Sequence, residues 1–211
     1  MARVISGCMP SPAISTSSAA AVVPPGEVTF WRKVADGSSE RCSNSPEPDT
    51  VARASVVASC SGRPAAIGRG VTVAVAANSV SAAQRATADA LLRATGAVEW
   101  IDDEQLMDAV TAVSGSGPAY VFLLAEELAR AGVEAGLPAE LATKLARETV
   151  AGSGELLHRS ELDAATLRQN VTSPGGTTAA ALQVLMGEDG MRQLMIRAIA
   201  AATRRSKELA K

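Results

Sequence analysis

The pattern of apolar and polar positions changes character near residue 62. From Pro64 onward each apolar run has a period and a residue that ends it. The β-branched run GVTVAVA, Gly70–Ala76, predicts a strand. In SAAQRATADALLRATG, Ser81 offers an N-cap and Gly96 a stop around Ala82, Ala86, Leu91 and Leu92, which predicts a helix; AVEWI predicts a second strand. Together they make a strand-helix-strand unit. In DDEQLMDAVTAVSGSG the leading acids favour a helix N-terminus, Leu106, Val110 and Val113 share one side, and the glycines end the helix.

The remainder reads as helices alone. Pro118 is a first-turn residue for AYVFLLAEELARAGVEAG, where Val121, Leu124, Leu128 and Ala131 share a face with Phe122 and Leu123 beside them. A helix apolar over so much of its circumference is expected to be buried. Pro138 opens PAELATKLARETVAGSGELLHRS, Asp163 caps the short AATLRQNV, and TTAAALQVLM precedes the long MRQLMIRAIAAATRRSKELAK. The last of these carries an apolar stripe of Met191, Leu194, Met195, Ala198 and Ala202. Abundant alanine favours closely approaching helices. A stripe with no later segment to cover it predicts a second copy of the chain, hence a dimer.

Residues 1–62 look different. Patches such as PSPAISTSSAA, VVPPGE and DGSSERCSNSPEPD have no useful periodicity, so this stretch is expected to be largely disordered. EVTFWRKVA, residues 27–35, is the exception: an alternating run that fits a short strand with no obvious partner. ISGC, residues 5–8, resembles a lipoprotein cleavage box, but Val4 and Ile5 do not make the long apolar segment that such a signal needs.

Composition then removes function classes. At 211 residues and 47% hydrophobic the chain is long enough for the core of one ordinary domain, or of a smaller one with a tail. A net charge of −2 gathers no phosphate backbone, and two Trp, one Tyr and two Phe offer little for base stacking, which argues against a nucleic-acid partner. The three cysteines, Cys8, Cys42 and Cys60, form no C-x-x-C pair, and His158 is the single histidine, so neither a disulfide framework nor a metal site is expected. No apolar run approaches the roughly 20 residues that cross a bilayer, so no membrane partner is expected. His158 stands among charges near a helix end and reads as a solvated side chain; Arg204, Arg205 and Lys207 suit the C-terminal end of a helix dipole.

The candidate chemistry lies in NVTSPGGTT, residues 170–178. Ser173-Pro174-Gly175-Gly176 joins two helices; the glycines permit backbone angles closed to other residues and let a ligand approach bare peptide. Thr177 and Thr178 bring hydroxyls to a helix N-terminus, where unpaired N–H groups and the helix dipole favour an anion such as a carboxylate. On the loop residues alone a second reading stands beside this one: a tight turn with a threonine cap.

A resemblance weighs between them. AVTAVSGSGPAYVFLLAEELARAGVEAGLP, residues 109–138, followed by LRQNVTSPGGTTAAALQVL, residues 167–185, resembles the C-terminal domain of pyrroline-5-carboxylate reductase, and the Asn-Val-x-Ser-Pro-Gly-Gly-x-Thr run is close to that family's signature. The likeness covers about residues 64–211. It implies a mainly α fold: a helical dimerisation domain (6-phosphogluconate dehydrogenase C-terminal-like) over residues 102–211. A remnant of an α/β Rossmann domain over 63–101 and a disordered 1–62 precede it.

The family's reaction passes hydride from NADPH or NADH to the C=N carbon of a cyclic imino acid, 1-pyrroline-5-carboxylate, to give proline. By resemblance, Ser173, Gly175, Gly176, Thr177 and Thr178 take the substrate carboxylate and ring nitrogen, with Thr178 the catalytic-site residue that orients the imine. Asn170 and Val171 lie near the cofactor. Thr178, with its very high pKa, is a poor proton donor by itself, which makes an already protonated imine or a water the proton source. SGSGPAY, residues 114–120, is also characteristic, and its Ser116 either lines the substrate pocket or marks a helix break packed closely at the glycines. The likeness further implies a homodimer or higher homo-oligomer in the cytoplasm.

The departure from the family is equally informative. Members begin with a strand and a G-x-G-x-x-G/A turn that cradles the cofactor pyrophosphate, and nothing in residues 1–62 supplies that spacing. The simplest account is a truncated or mis-framed member with an unrelated leader joined near residue 62. Two function classes follow: an oxidoreductase of this family, and a non-catalytic helical dimerisation module derived from it.

Overall fold

A computed structural model describes residues 62–210 and, before them, the strands Ser18–Val23 (β1), Thr29–Lys33 (β2), Ser39–Arg41 (β3) and Ala54–Cys60 (β4). Gly70–Ala76 (β5) and Gly96–Ile101 (β6) complete a six-stranded sheet of order β3-β2-β1-β4-β5-β6. The helices are Gly62–Ala65 (α1), Ala82–Leu92 (α2), Met107–Val110 (α3), Gly117–Glu134 (α4), Ala139–Arg159 (α5), Ala164–Asn170 (α6), Thr177–Leu185 (α7) and Met191–Leu209 (α8). The fold is thus mainly α, preceded by a small α/β portion. Met1–Pro118 with Ile199–Lys211 forms one compact unit and Ala119–Ala198 a second.

In the first unit β5 and β6 pair in parallel, Gly70 opposite Gly96 and Val75 opposite Ile101, with α2 as their crossover. This is the expected strand-helix-strand unit. Its start requires glycine twice: a Cβ on Gly70 would stand 2.7 Å from the Thr95 carbonyl oxygen, and Gly96, at φ 139°, would drive a Cβ into the Gly70 carbonyl. Ser81 caps α2 reciprocally with Gln84: the Gln84 N–H donates to Ser81 Oγ at 3.3 Å and the Ser81 N–H donates to Gln84 Oε1 at 2.9 Å.

The core here is small. Ala74 of β5 meets Ala88 of α2, with Val80, Leu92 and Trp100 packed around them. Of the four apolar positions expected in α2, Leu92 joins this core, while Ala82, Ala86 and Leu91 are exposed. Two small alanines seat the helix directly against the strand, and that contact rather than the widest apolar arc sets its rotation. Trp100 closes the edge: its Nε1–H donates to Asp89 Oδ1 at 3.0 Å, and the Arg85 guanidinium lies 4.6 Å from its ring centroid. Hydrogen bonds from Arg93, and secondarily from Trp100, hold the Asp89 carboxyl below the usual carboxylate range.

The described segments before residue 62 are the strands β1–β4, paired antiparallel with their neighbours. The alternating run of residues 27–35 supplies β2, which pairs β1 on one side and β3 on the other. The physical reason is the open edge of β5: the uncharged run ASVVASC of β4 pairs along it, and β1 then pairs β4. ISGC and most of the Ser- and Pro-rich stretches lie outside the described residues.

The segment expected as one regular helix from Asp102 to the glycines is instead a 3₁₀ turn at Glu104–Leu106, then α3, then a π turn at Thr111–Gly115. Each change of winding shifts the apolar phase. Met107 and Ala112 are consequently buried, while Leu106 and Val113, expected inside, are about half exposed.

In the second unit the buried residues are Ala142 and Ala146 of α5. Gly132 of α4 permits the close approach, since a Cβ there would come within 3.2 Å of the Ala142 Cβ. α4 itself corrects an expectation. None of its residues is buried: Phe122 is 60% and Leu123 54% exposed, with Val121, Leu124 and Leu128 close behind. The apolar circumference is real, but among the described residues it stays exposed. Met191, Leu194 and Met195 of the α8 stripe are likewise exposed, as is His158 in the last turn of α5.

Candidate functional site

The loop from Asn170 to Thr178 lies in the second unit, between α6 and α7. α6 is started by Asp163, whose Oδ1 accepts the Thr166 N–H at 2.7 Å. It ends at Asn170, and Val171, 65% exposed, is its C-cap. The chain is then held by two bonds back into the last turn of α6, the Thr172 N–H to Gln169 O at 2.9 Å and the Thr172 hydroxyl to Arg168 O at 2.6 Å.

Beyond Thr172 the backbone turns tightly. The Gly176 N–H donates to Ser173 O at 3.1 Å, and Gly175 takes φ 68°, a left-handed conformation that side chains disfavour. Gly176 is the N-cap of α7 and is tightly overlaid: a Cβ there would collide with Ser173 Oγ, so the Ser173 hydroxyl sits directly over the start of the helix.

No side chain caps α7. The hydroxyls of Ser173, Thr177 and Thr178 make no hydrogen bond among the described residues, and Thr178 is half-buried at the first turn. The threonine cap required by the plain-turn reading is therefore missing. What remains is a helix N-terminus with open N–H groups and three unengaged hydroxyls around it, an arrangement chemically suited to a carboxylate.

Asp163 makes the loop's support sensitive to acid. Its carboxyl is held below the usual range chiefly by the Thr166 backbone N–H, then by the Thr166 side chain and the Ala165 N–H. A depressed folded pKa contributes stability that is fully present above the ordinary carboxylate value and is lost as pH falls through the folded one. Amide protection at Thr166 and Leu167 is therefore expected to drop below about pH 4. Asp163→Asn, which keeps the cap without the charge, should flatten that pH dependence. An unchanged acid profile in Asp163→Asn would assign the effect to another group.

Ser116 belongs to the first unit. It follows the π turn, and its N–H donates to Thr111 O at 2.9 Å. Ser114 is engaged, its Oγ donating to Val110 O at 2.9 Å, whereas the Ser116 hydroxyl has no partner among the described residues. The π turn carries no local sequence signal that separates it from an α-helix. Such turns recur at functional positions.

Other features offer less. A surface depression of about 480 Å³ along α5 is lined by Ala139, Glu140, Thr143, Lys144, Arg147 and Glu148, charges of both signs on a single helix with no second element converging on them. Among the described residues no three His, Cys, Asp or Glu side chains are grouped to hold a metal, and no helix is long and apolar enough to cross a membrane.

The described residues do not form a dinucleotide cradle. That cradle needs a parallel strand, a glycine turn and an open helix N-terminus for the pyrophosphate. The turn from β5 into α2, Ala77–Val80, has no glycine, and the Gln84 N–H at the start of α2 is taken by Ser81. On the other edge of β5 lies β4, which is antiparallel.

Residues 104–209, half of the chain, match the family model described as pyrroline-5-carboxylate reductase dimerisation. The chain is similar to the pyrroline-5-carboxylate reductase of Synechocystis sp., 50% identical over 148 residues, covering 70% of this chain and 55% of that protein. It is also similar to the Pseudomonas aeruginosa protein of the same name, 46% identical over 147 residues, 70% of this chain and 54% of that one. Among solved structures, the pyrroline-5-carboxylate reductase of Coxiella burnetii superposes with a TM-score of 0.69 at 40% identity, covering 74% of this chain and 57% of that one. The Plasmodium falciparum pyrroline carboxylate reductase with NADP bound superposes with a TM-score of 0.61 at 33% identity, covering 70% and 56%. The chain spans about half the length of the curated relatives it matches. The loop, the helices around it and these relatives lead to one assignment: the chain belongs to the pyrroline-5-carboxylate reductase family.

Proposed function

We propose that this chain carries the substrate-binding and assembly part of a pyrroline-5-carboxylate reductase of proline biosynthesis. In that reaction a reduced nicotinamide dinucleotide, NADPH or NADH, supplies hydride to the imine carbon of 1-pyrroline-5-carboxylate. The open N-terminus of α7 receives the substrate carboxylate, with Ser173, Gly175, Gly176 and Thr177 around it. Thr178 places its hydroxyl at the ring nitrogen and orients the imine. With its high pKa it does not deliver the proton, which comes with an already protonated imine or from water. Asn170 and Val171 lie near the cofactor. The observation that supports this reading most directly is the uncapped first turn of α7 beneath the left-handed Gly175. Because the described residues do not fit a pyrophosphate cradle, no chemical step is assigned through the dinucleotide.

The test is a titration with proline, a small cyclic carboxylate of the product class. Proline should shift the amide resonances of residues 173–178 and raise the melting temperature by linkage. Thr178→Ala is expected to weaken binding by roughly 1 kcal/mol, about fivefold in Kd, the worth of one hydrogen bond. Equal responses in parent and variant would leave the loop as a connecting turn.

A second reading, a non-catalytic dimerisation module, is favoured by the exposed apolar surfaces of α4, α7 and α8. The two readings share the homodimer and part at the proline titration.

A further inference from the structure

We propose that β4, backed by β1, is an edge cover: it occupies the side of β5 that β6 leaves free and keeps a second copy of the chain from adding a strand there. The inference is independent of the substrate reading of the α7 loop. It starts from the distribution of charge across the sheet order β3-β2-β1-β4-β5-β6. Three adjacent inner strands, β1 (SAAAVV), β4 (ASVVASC) and β5 (GVTVAVA), carry no charged residue and no proline. Charges stand only outside them, with Arg32 and Lys33 in β2, Glu40 and Arg41 in β3 and Glu99 in β6. Among the described residues the sheet therefore ends on a three-residue charged strand at one side and on a strand containing a glutamate at the other. Short or charged edges resist pairing with another chain, whereas an uncharged, β-branched strand with a row of open N–H and C=O groups invites it.

The register fits that role. β6 pairs one side of β5 from Gly70 to Val75, which leaves the other side to β4. β4 runs antiparallel along it from Val56, opposite Ala76, to Cys60, opposite Thr72. This covers the part of β5 in which Thr72, Ala74 and Val75 are buried. Being as uncharged as the strand it covers, β4 would itself be an inviting edge. β1 pairs its outer side from Ser18, opposite Ser59, to Val23, opposite Ala54, and β2 then brings charge to the row. All these strands belong to one compact unit. β1–β4 precede residue 64, where the likeness to the reductase family begins, so the cover belongs to this chain's own leader.

The experiment compares the full-length parent with Val57→Pro and Ala58→Pro, at positions opposite Val75 and Ala74, and with Thr72→Cys in a Cys8→Ser, Cys42→Ser background. Proline removes a ladder N–H, and β4, lying between two strands, has no free side to which that loss can be turned. A cysteine at position 72 stands opposite Cys60, and directly opposed antiparallel residues are about 4.5–5.5 Å apart at Cα, within the span of a disulfide. The Thr72 hydroxyl has no hydrogen-bond partner among the described residues, so replacing it removes no bond. Amide exchange at residues 72–76 and thioflavin fluorescence are followed, with exchange at Ala142 and Ala146 of α5 as the check that the helices are intact. Both proline variants should speed exchange in β5 by about tenfold or more and form thioflavin-positive assemblies that the parent does not form at the same concentration. In the cysteine variant, a disulfide to Cys60 formed by mild oxidation should keep the chain free of such assemblies on warming, and reduction should restore them. Unchanged exchange in β5 overturns the cover. Faster exchange without strand-rich assembly overturns the protection. If the proline variants lose exchange protection in α5 as well, the cysteine variant decides: equal assembly with the disulfide open and closed, or no disulfide at all, overturns the proposal.

Discussion

Leu194→Glu is expected to convert an assembled dimer into monomer or aggregate. Leu194 is 54% exposed within the single chain, and Met191, Met195 and Ile196 beside it are exposed as well. Val184, Leu185 and Met186 at the end of α7 and the apolar circumference of α4 extend the exposed hydrophobic area. Isolated apolar side chains on a surface are ordinary, but this many on three helices are what an interface would use. In a two-fold dimer each substitution acts twice. Losing the burial of one leucine costs roughly 1.5–3 kcal/mol, and desolvating a carboxylate in its place costs more, so about 5 kcal/mol, more than a thousandfold in Kd, is a minimum for the pair. Sedimentation velocity at micromolar concentration reads the result. A parent chain that sediments as a well-folded monomer would show that some other contact covers these helices.

The second large effect concerns the reaction. The 211-residue chain is expected to give no measurable reduction of 1-pyrroline-5-carboxylate and no saturable change in NADH or NADPH fluorescence. Hydride transfer needs the nicotinamide ring within about 3.5 Å of the imine carbon, and such positioning is worth roughly 7–11 kcal/mol of barrier. In the proposed reading the α7 loop would hold one reactant. The other requires a strand, glycine turn and open helix N-terminus, whereas the described strands before β5 are antiparallel and the turn into α2 has no glycine. Turnover that survives removal of contaminating host enzyme would mean that the dinucleotide is held in a way these residues do not reveal. Proline binding with no turnover would separate substrate recognition from catalysis in a single chain.

Much of this protein is legible from local chemistry. Ser81 and Asp163 start α2 and α6 because a side-chain oxygen reaches an N–H two or three residues on, an interaction contained in four consecutive residues. Gly70–Ala76 is a strand because β-branched residues favour that backbone, and the α7 loop is recognisable because Ser-Pro-Gly-Gly restricts and frees the chain at successive positions. Periodicity also reported correctly that α4 and α8 have broad apolar faces. It misplaced α4 inside the chain because a pattern of side chains records which surface avoids water and not which molecule covers it.

The tertiary structure decided what depends on residues far apart. Whether Ala88 or Ala86 faces β5 follows from the fit of two small side chains, Ala74 and Ala88, which no helical wheel contains. The partners of β2 were invisible because strand pairing is chosen by the edges on offer, here the open side of β5 extended by β4 and β1. The π turn is a further case: TAVSG carries no chemistry that distinguishes it from an α-helix, and burial of Ala112 and Gly115 depends on residues packed around it. Sequence determined where the elements begin and what the α7 loop offers a ligand, since caps, glycines and hydroxyls act within a turn. Tertiary structure alone decided which faces meet and where the winding departs from an α-helix, since packing joins residues that the chain order keeps apart.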